Sequence, residues 1–238
     1  MALIPGTTYN VFAMTGQTVF IGTTTDPNNP PKPVPGDFNL EVVVSDTANL
    51  SVATASGYQG IAYLSTNGHI LTSVHGDYGI IDTGANDRIW AGDGNVSILG
   101  ASSDTLNGGT GGSQFLDAHL GNQLIVTGRI GNETIWGGVG DEVAAVTGAN
   151  VTIAGHDDDI IGGLIGVHFL PSNEFIDGTG GNETILGGLA NTTIWGGPRD
   201  IIRAGFEGNT TIGGVPTDTI VGGPGVVTEL IDGSLGGQ

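Results

Sequence analysis

The chain contains no cysteine among its 238 residues, which excludes disulfides, zinc–thiolate centres and a cysteine nucleophile. Basic side chains are nearly as scarce: Lys32, Arg88, Arg129, Arg199 and Arg203 face 24 acids, for a net charge of -19. Such a charge repels nucleic acid and anionic lipid, so neither is an expected partner, and a cationic partner is implied. No apolar run approaches the length of a bilayer-crossing helix, so membrane insertion is not expected either. Met1 to Gly16 has no basic segment followed by an apolar one, and a cleavable signal peptide is therefore not expected there.

What the chain has in abundance is glycine, 45 residues of it, alongside 38% hydrophobic residues. A collagen helix needs glycine at every third position, and runs such as Ile201-Ile202-Arg203-Ala204 break that period. The apolar content exceeds that of disordered chains, and the isoleucines and valines recur evenly. Asn132-Glu133-Thr134-Ile135-Trp136-Gly137-Gly138 returns as Asn182-Glu183-Thr184-Ile185-Leu186-Gly187-Gly188 and again as Asn191-Thr192-Thr193-Ile194-Trp195-Gly196-Gly197. The unit is about nine residues long. Its apolar positions run Val43, Val52, Ile61, Ile70, Ile80, Ile89, Ile98 and Leu106, then with slips of a residue to Ile212, Ile220 and Ile231. One insertion interrupts the series near Val167 to Ser172.

A helix cannot carry this pattern, because each Gly would cost it about 1 kcal/mol and no helical stripe exists. Short strands separated by glycine turns can, provided neighbouring units stack to bury their apolar faces. Matching turns return at every second unit, as from Asn132 to Asn150 and from Asp200 to Asp218. The reading is all-β: a parallel β-roll, or β-solenoid, of coils of about 18 residues, two strands and two turns each. About ten coils between residues 40 and 231 would make a rod of roughly 45–50 Å.

The unit resembles the nonapeptide repeat G-G-x-G-x-D-x-U-x of the RTX proteins. Gly213-Gly214-Val215-Pro216-Thr217-Asp218-Thr219-Ile220-Val221 fits all but the fourth position. Ala154-Gly155-His156-Asp157-Asp158-Asp159-Ile160-Ile161-Gly162 fits the second, sixth and eighth, and Gly137-Gly138-Val139-Gly140-Asp141-Glu142 keeps the glycines with Glu for Asp. The likeness extends over 83–231, whereas 40–82 shares only the apolar spacing. It implies a parallel β-roll that binds calcium in its turns, between turns one coil apart on the same edge.

The sixth positions then fall into two columns. One edge reads Asp87, Asp104, Gln123, Glu142, Asp159, Glu183, Asp200, Asp218; the other reads Val96, Ser113, Glu133, Val151, Glu174, Thr192, Thr210, Glu229. Calcium takes six to eight oxygens, from carboxylates and from the carbonyls that glycine turns can aim inward. The first edge meets that demand, so the expected calcium ligands are Asp87, Asp104, Glu142, Asp157, Asp159, Glu183, Asp200 and Asp218, with Asp87–Asp104, Glu142–Asp159 and Asp200–Asp218 the best pairs. The second edge carries Asn95, Asn132, Asn150, Asn173, Asn191 and Asn209 at the fifth position, a ladder of stacked amides that needs no metal.

Trp90, Trp136 and Trp195 follow inward isoleucines and so point outward without forming a continuous platform. Ser97, Thr134, Thr152, Thr193 and Thr211 form an outward hydroxyl row, broken at Gln114 and Phe175. The chain carries no nucleophile elbow, no phosphate loop and no Ser/His/Asp set, so no enzyme is expected. Before the repeats, residues 1–26 read as a hairpin cap and 27–39, with Pro30, Pro31, Pro33 and Pro35, as a stiff linker to the roll at 40–238.

With the family's implications added, the expectation is a non-enzymatic calcium-binding repeat protein, secreted or on the surface of a bacterial cell. Its role would be structural, adhesive or matrix-forming, with folding coupled to calcium and with cell-surface polysaccharide or its own coil ends as partners. The alternatives are an accessory repeat module of a secreted enzyme and an ice- or polysaccharide-binding solenoid.

Overall fold

A computed structural model describes residues 9–10, 17–22, 35, 38–45, 51–53, 60–65, 70–72, 78–146, 149–155, 159–164, 173–189, 191–205, 208–223 and 228–232. No helix occurs among them. The strands form two sheets, one of thirteen and one of ten, and from Phe38 onward consecutive strands alternate between them. Every sheet pairing is parallel except one. The exception is the N-terminal strand Tyr9–Asn10, which pairs antiparallel with Gln17–Gly22 through Tyr9↔Ile21 and Asn10↔Phe20. Gln17–Gly22 lies in turn alongside Phe38–Ser45, so it extends the thirteen-stranded sheet ahead of the first coil. The result is a parallel β-solenoid.

Two stacks of branched side chains fill the space between the sheets. In the thirteen-stranded sheet Ile61, Ile80, Ile98, Leu116, Ile135, Ile153, Ile176, Ile194 and Ile212 lie in register, one above another. In the other sheet the stack is Ile89, Leu106, Ile125, Val143, Ile185, Ile202 and Ile220, with Val52, Leu71 and Ile160 at the same register position. From Ile61 to Ile212, the members of both stacks whose burial is described are at most 1% exposed. A branched side chain fits here because its stiff rotamer suits the pleat and packs onto its copy one strand away. Two expected stack members miss the register: Val43 lies opposite Tyr63, and Ile70 lies opposite Arg88 while Leu71 takes the stack position.

Glycine is required where backbones of adjacent coils touch. A Cβ on Gly109 would lie 1.9 Å from the carbonyl oxygen of Gly92, and one on Gly205 would lie 2.1 Å from that of Gly188. The step between coils is 18 residues along most of the Asn row and 23 between Asn150 and Asn173, where the insertion falls.

Candidate functional site: a buried carboxylate column

On the edge leading from the thirteen- to the ten-stranded sheet, a residue with positive φ precedes the residue that points inward. Asn86, Ser103, Asn122, Asn182 and Arg199, at φ of 63, 69, 57, 64 and 72°, stand directly before Asp87, Asp104, Gln123, Glu183 and Asp200, and Gly140 at 80° stands before Asp141. The left-handed residues other than glycine are thus on the acidic edge, whereas on the other edge Gly112, Gly131 and Gly208 take positive φ and the ladder asparagines do not, contrary to the expectation for those amides. The left-handed step turns the chain so that the following carboxylate reaches back beneath its own turn.

The register places Asp87, Asp104, Gln123, Asp141, Glu183, Asp200 and Asp218 in one column, each two residues before a stacked Ile, Leu or Val. All but Asp218 are at most 2% exposed. Glu142 is a correction: it is exposed, and its strand partners are Leu124 and Asp159, one position past the column, while Asp141 holds the buried place. Glu142 and Asp159 are register neighbours as expected, but at that next position along the strand. Asp157 lies outside the described residues. On the opposite edge the same slip of one residue puts Gln114, not Ser113, beside Glu133, and Phe115, not Gln114, in the hydroxyl row.

Backbone amides tie down most aspartates of the column. In four of the five aspartates one oxygen accepts the amide N–H three residues back: Ala101 to Asp104 at 2.7 Å, Gly138 to Asp141 at 2.7 Å, Gly197 to Asp200 at 2.6 Å and Val215 to Asp218 at 2.7 Å. The other oxygen accepts the N–H of the column residue one coil earlier. Asp87 donates to Asp104 at 2.9 Å, Gln123 to Asp141 at 2.8 Å, Glu183 to Asp200 at 2.9 Å and Asp200 to Asp218 at 3.2 Å. Burial raises the pKa of Asp141 and Asp200 from the ordinary carboxylate value, and these N–H groups pull it back.

Besides Asp141, sequence reasoning missed Asp82. Asp82 ends the strand Tyr78–Asp82 and is 3% exposed. Its carboxylate and those of Asp87 and Asp104 place one oxygen each within 4.8 Å of one another. Three ionised groups so close would repel by about 3 kcal/mol per pair at an effective dielectric of about 20. Asp82 accordingly keeps its proton, its pKa raised to about 9 by burial first, then by the hydrogen bond and charge of Asp87. Asp104 is raised to about 6, again by burial first, with the N–H groups of Asp87 and Ala101 opposing. The signal was present in the sequence: two residues after the stacked isoleucine the next seven coils carry Gly100, Ala118, Gly137, Gly155, Gly178, Gly196 and Gly214.

The second edge also buries acids. Glu133 and Glu174, 2% and 4% exposed, accept N–H bonds from Gly128 and Gly188, and burial raises Glu133 to about 7. Outside them runs the amide ladder. Asn150 donates to Asn132 at 3.0 Å, and Asn173 to Asn150, Asn191 to Asn173 and Asn209 to Asn191 at 3.2 Å each. A groove of about 530 Å³ crosses the ladder, lined by Asn132, Asn150, Asn173, Asn191, Thr152, Thr193 and Phe175 among others. Trp136 and Trp195 are exposed, with Ala154 and Asp177 between them in register, and Phe115 meets Trp136 edge-on at 5.1 Å.

No family model matches the chain, and no curated protein or solved structure matches it significantly.

Proposed function

We propose that the chain is a non-enzymatic repeat protein of the bacterial exterior, a structural, adhesive or matrix component whose folding is coupled to calcium. The observation that carries this reading is the acidic edge itself, a column of carboxylates held out of water in successive coils of a chain with net charge -19. Burial has already raised the proton affinity of Asp82, Asp104, Asp141 and Asp200. The burial that disfavours a bare negative charge there also favours a hard cation with oxygen ligands, which binds by displacing the proton. Where calcium is scarce the ionised column opposes closure of the coils; where it is at millimolar level, binding draws the chain into the folded state by mass action.

The amide bonds to Asp104, Asp141, Asp200 and Asp218 set a limit on that coupling, because they satisfy both oxygens without an ion. Calcium therefore adds stability to a roll that has its own internal ties. The test is thermal melting followed by far-UV circular dichroism on chelator-treated protein, titrated with calcium and separately with magnesium. A melting temperature that climbs with calcium and much less with magnesium is expected. Identical melts in chelator and in millimolar calcium would sink the reading.

A further inference from the structure

We infer that Asp82, Asp87 and Asp104 form a dedicated interior site for one divalent cation, at the coil where a carboxylate replaces the small residue of the seven coils that follow. The inference deepens the calcium reading by fixing where one ion sits, and it rests on that reading only in the choice of first cation to try. The three side chains are 3%, 0% and 1% exposed, and their oxygens lie within 4.8 Å of one another. That separation suits two ligands on one ion, since metal–oxygen bonds of about 2.1–2.5 Å place neighbouring and opposite ligands within such a span.

Two further observations point to a ligand. The first is Asp82 itself: Oδ1 accepts the Gly84 N–H at 3.1 Å, but no N–H reaches the buried Oδ2, and the group's other hydrogen-bond neighbour is a second acid, Asp87. A buried carboxylate oxygen left in this state is costly unless something positive occupies the space before it. The second is the use made of the same position elsewhere. A Cβ on Gly178 would lie 2.2 Å from Glu183 Oε2, and one on Gly196 would lie 3.3 Å from Asp200 Oδ2. In those coils the missing side chain leaves room for the column acid, whereas in the Asp82 coil the same interior space holds two acids of one turn, with Asp104 of the next coil beside them. The donors are all oxygen, which selects a hard cation such as calcium, magnesium or manganese over a softer metal.

The experiment is isothermal titration of chelator-treated full-length protein with calcium, magnesium and manganese chlorides, for the wild type and for Asp82→Asn, with melting curves alongside. Asp82→Asn keeps the volume and removes the charge. The expected result is that the variant lacks one tight equivalent, or binds it at least tenfold more weakly, with an unchanged circular dichroism spectrum. If the wild type takes up calcium and the variant takes up the same number of ions with the same affinity, the site is overturned while the calcium reading survives. If the wild type binds no divalent cation, both fall. Should Asp82→Asn not fold, Asp82→Gly, which restores the residue of Gly100 and Gly196, is measured in its place against the same two outcomes.

Discussion

A buried acid reports its environment through its proton. Folded Glu133 holds its proton up to about 7, whereas the ordinary value is 4.5. Between those values the native state binds more protons than the unfolded chain, so the contribution of this group is complete below the lower value and is lost as pH rises through the upper one. Metal-free protein should therefore lose thermal stability between about pH 4.5 and pH 7, opposite to the usual behaviour of a carboxylate held by a positive partner. Glu133→Gln cannot ionise, and its melting temperature should fall less over the same range. Parallel pH profiles for the two proteins would show that burial at Glu133 has no energetic consequence. The single residue is also where the sequence misled: Asp141 and Glu142 are adjacent acids, and counting forward from the glycine pair selects the wrong one. Counting back two residues from the stacked Val143 selects Asp141, because strand alternation, and not turn length, decides which side chain enters.

At the scale of the strand and its turn, the glycine pairs are contact points between backbones. Gly109→Ala would bring its Cβ to 1.9 Å from Gly92 O, while Gly111→Ala would meet only Asp93 O at 3.0 Å. The first substitution should destabilise by about 1–3 kcal/mol or more, and the second by clearly less, as read from urea midpoints. Equal midpoints would mean that the turns yield easily. These elements were legible in the sequence because each carries its own period: the apolar residue fixes the strand, the glycines fix the turn, and the return of Asn132 at Asn150 fixes the coil. What could not be read was the partner of each carboxylate. The amide three residues back and the amide one coil earlier become neighbours only after a left-handed residue has turned the chain, and Asn, Ser and Arg at those positions give no common sequence mark. Asp82 was passed over for a related reason, since it occupies a position that the repeat leaves to glycine or alanine and that a search for the sixth position never visits.

Among the described residues the molecule is nearly one-dimensional, each strand of a coil pairing with those of the coil before and the coil after. Its ends should then be weaker than its middle. Ile212 is fully buried, but Ile231, next in the same row, is 43% exposed. Hydrogen exchange should show strands such as Gly131–Trp136 protected longest and Thr219–Val221 exchanging early. Uniform protection along the rod would mean that the coils open as one unit instead. The amide-to-carboxylate bonds give this rod a direction as well as a length. Asp104 takes the N–H of Asp87, Asp141 that of Gln123, Asp200 that of Glu183 and Asp218 that of Asp200, so the acceptor always belongs to the later coil. Each acid ties its own turn with one oxygen and the preceding coil with the other. A roll that grows from its amino end therefore works as a ratchet, each coil that stacks on it locking the one already in place.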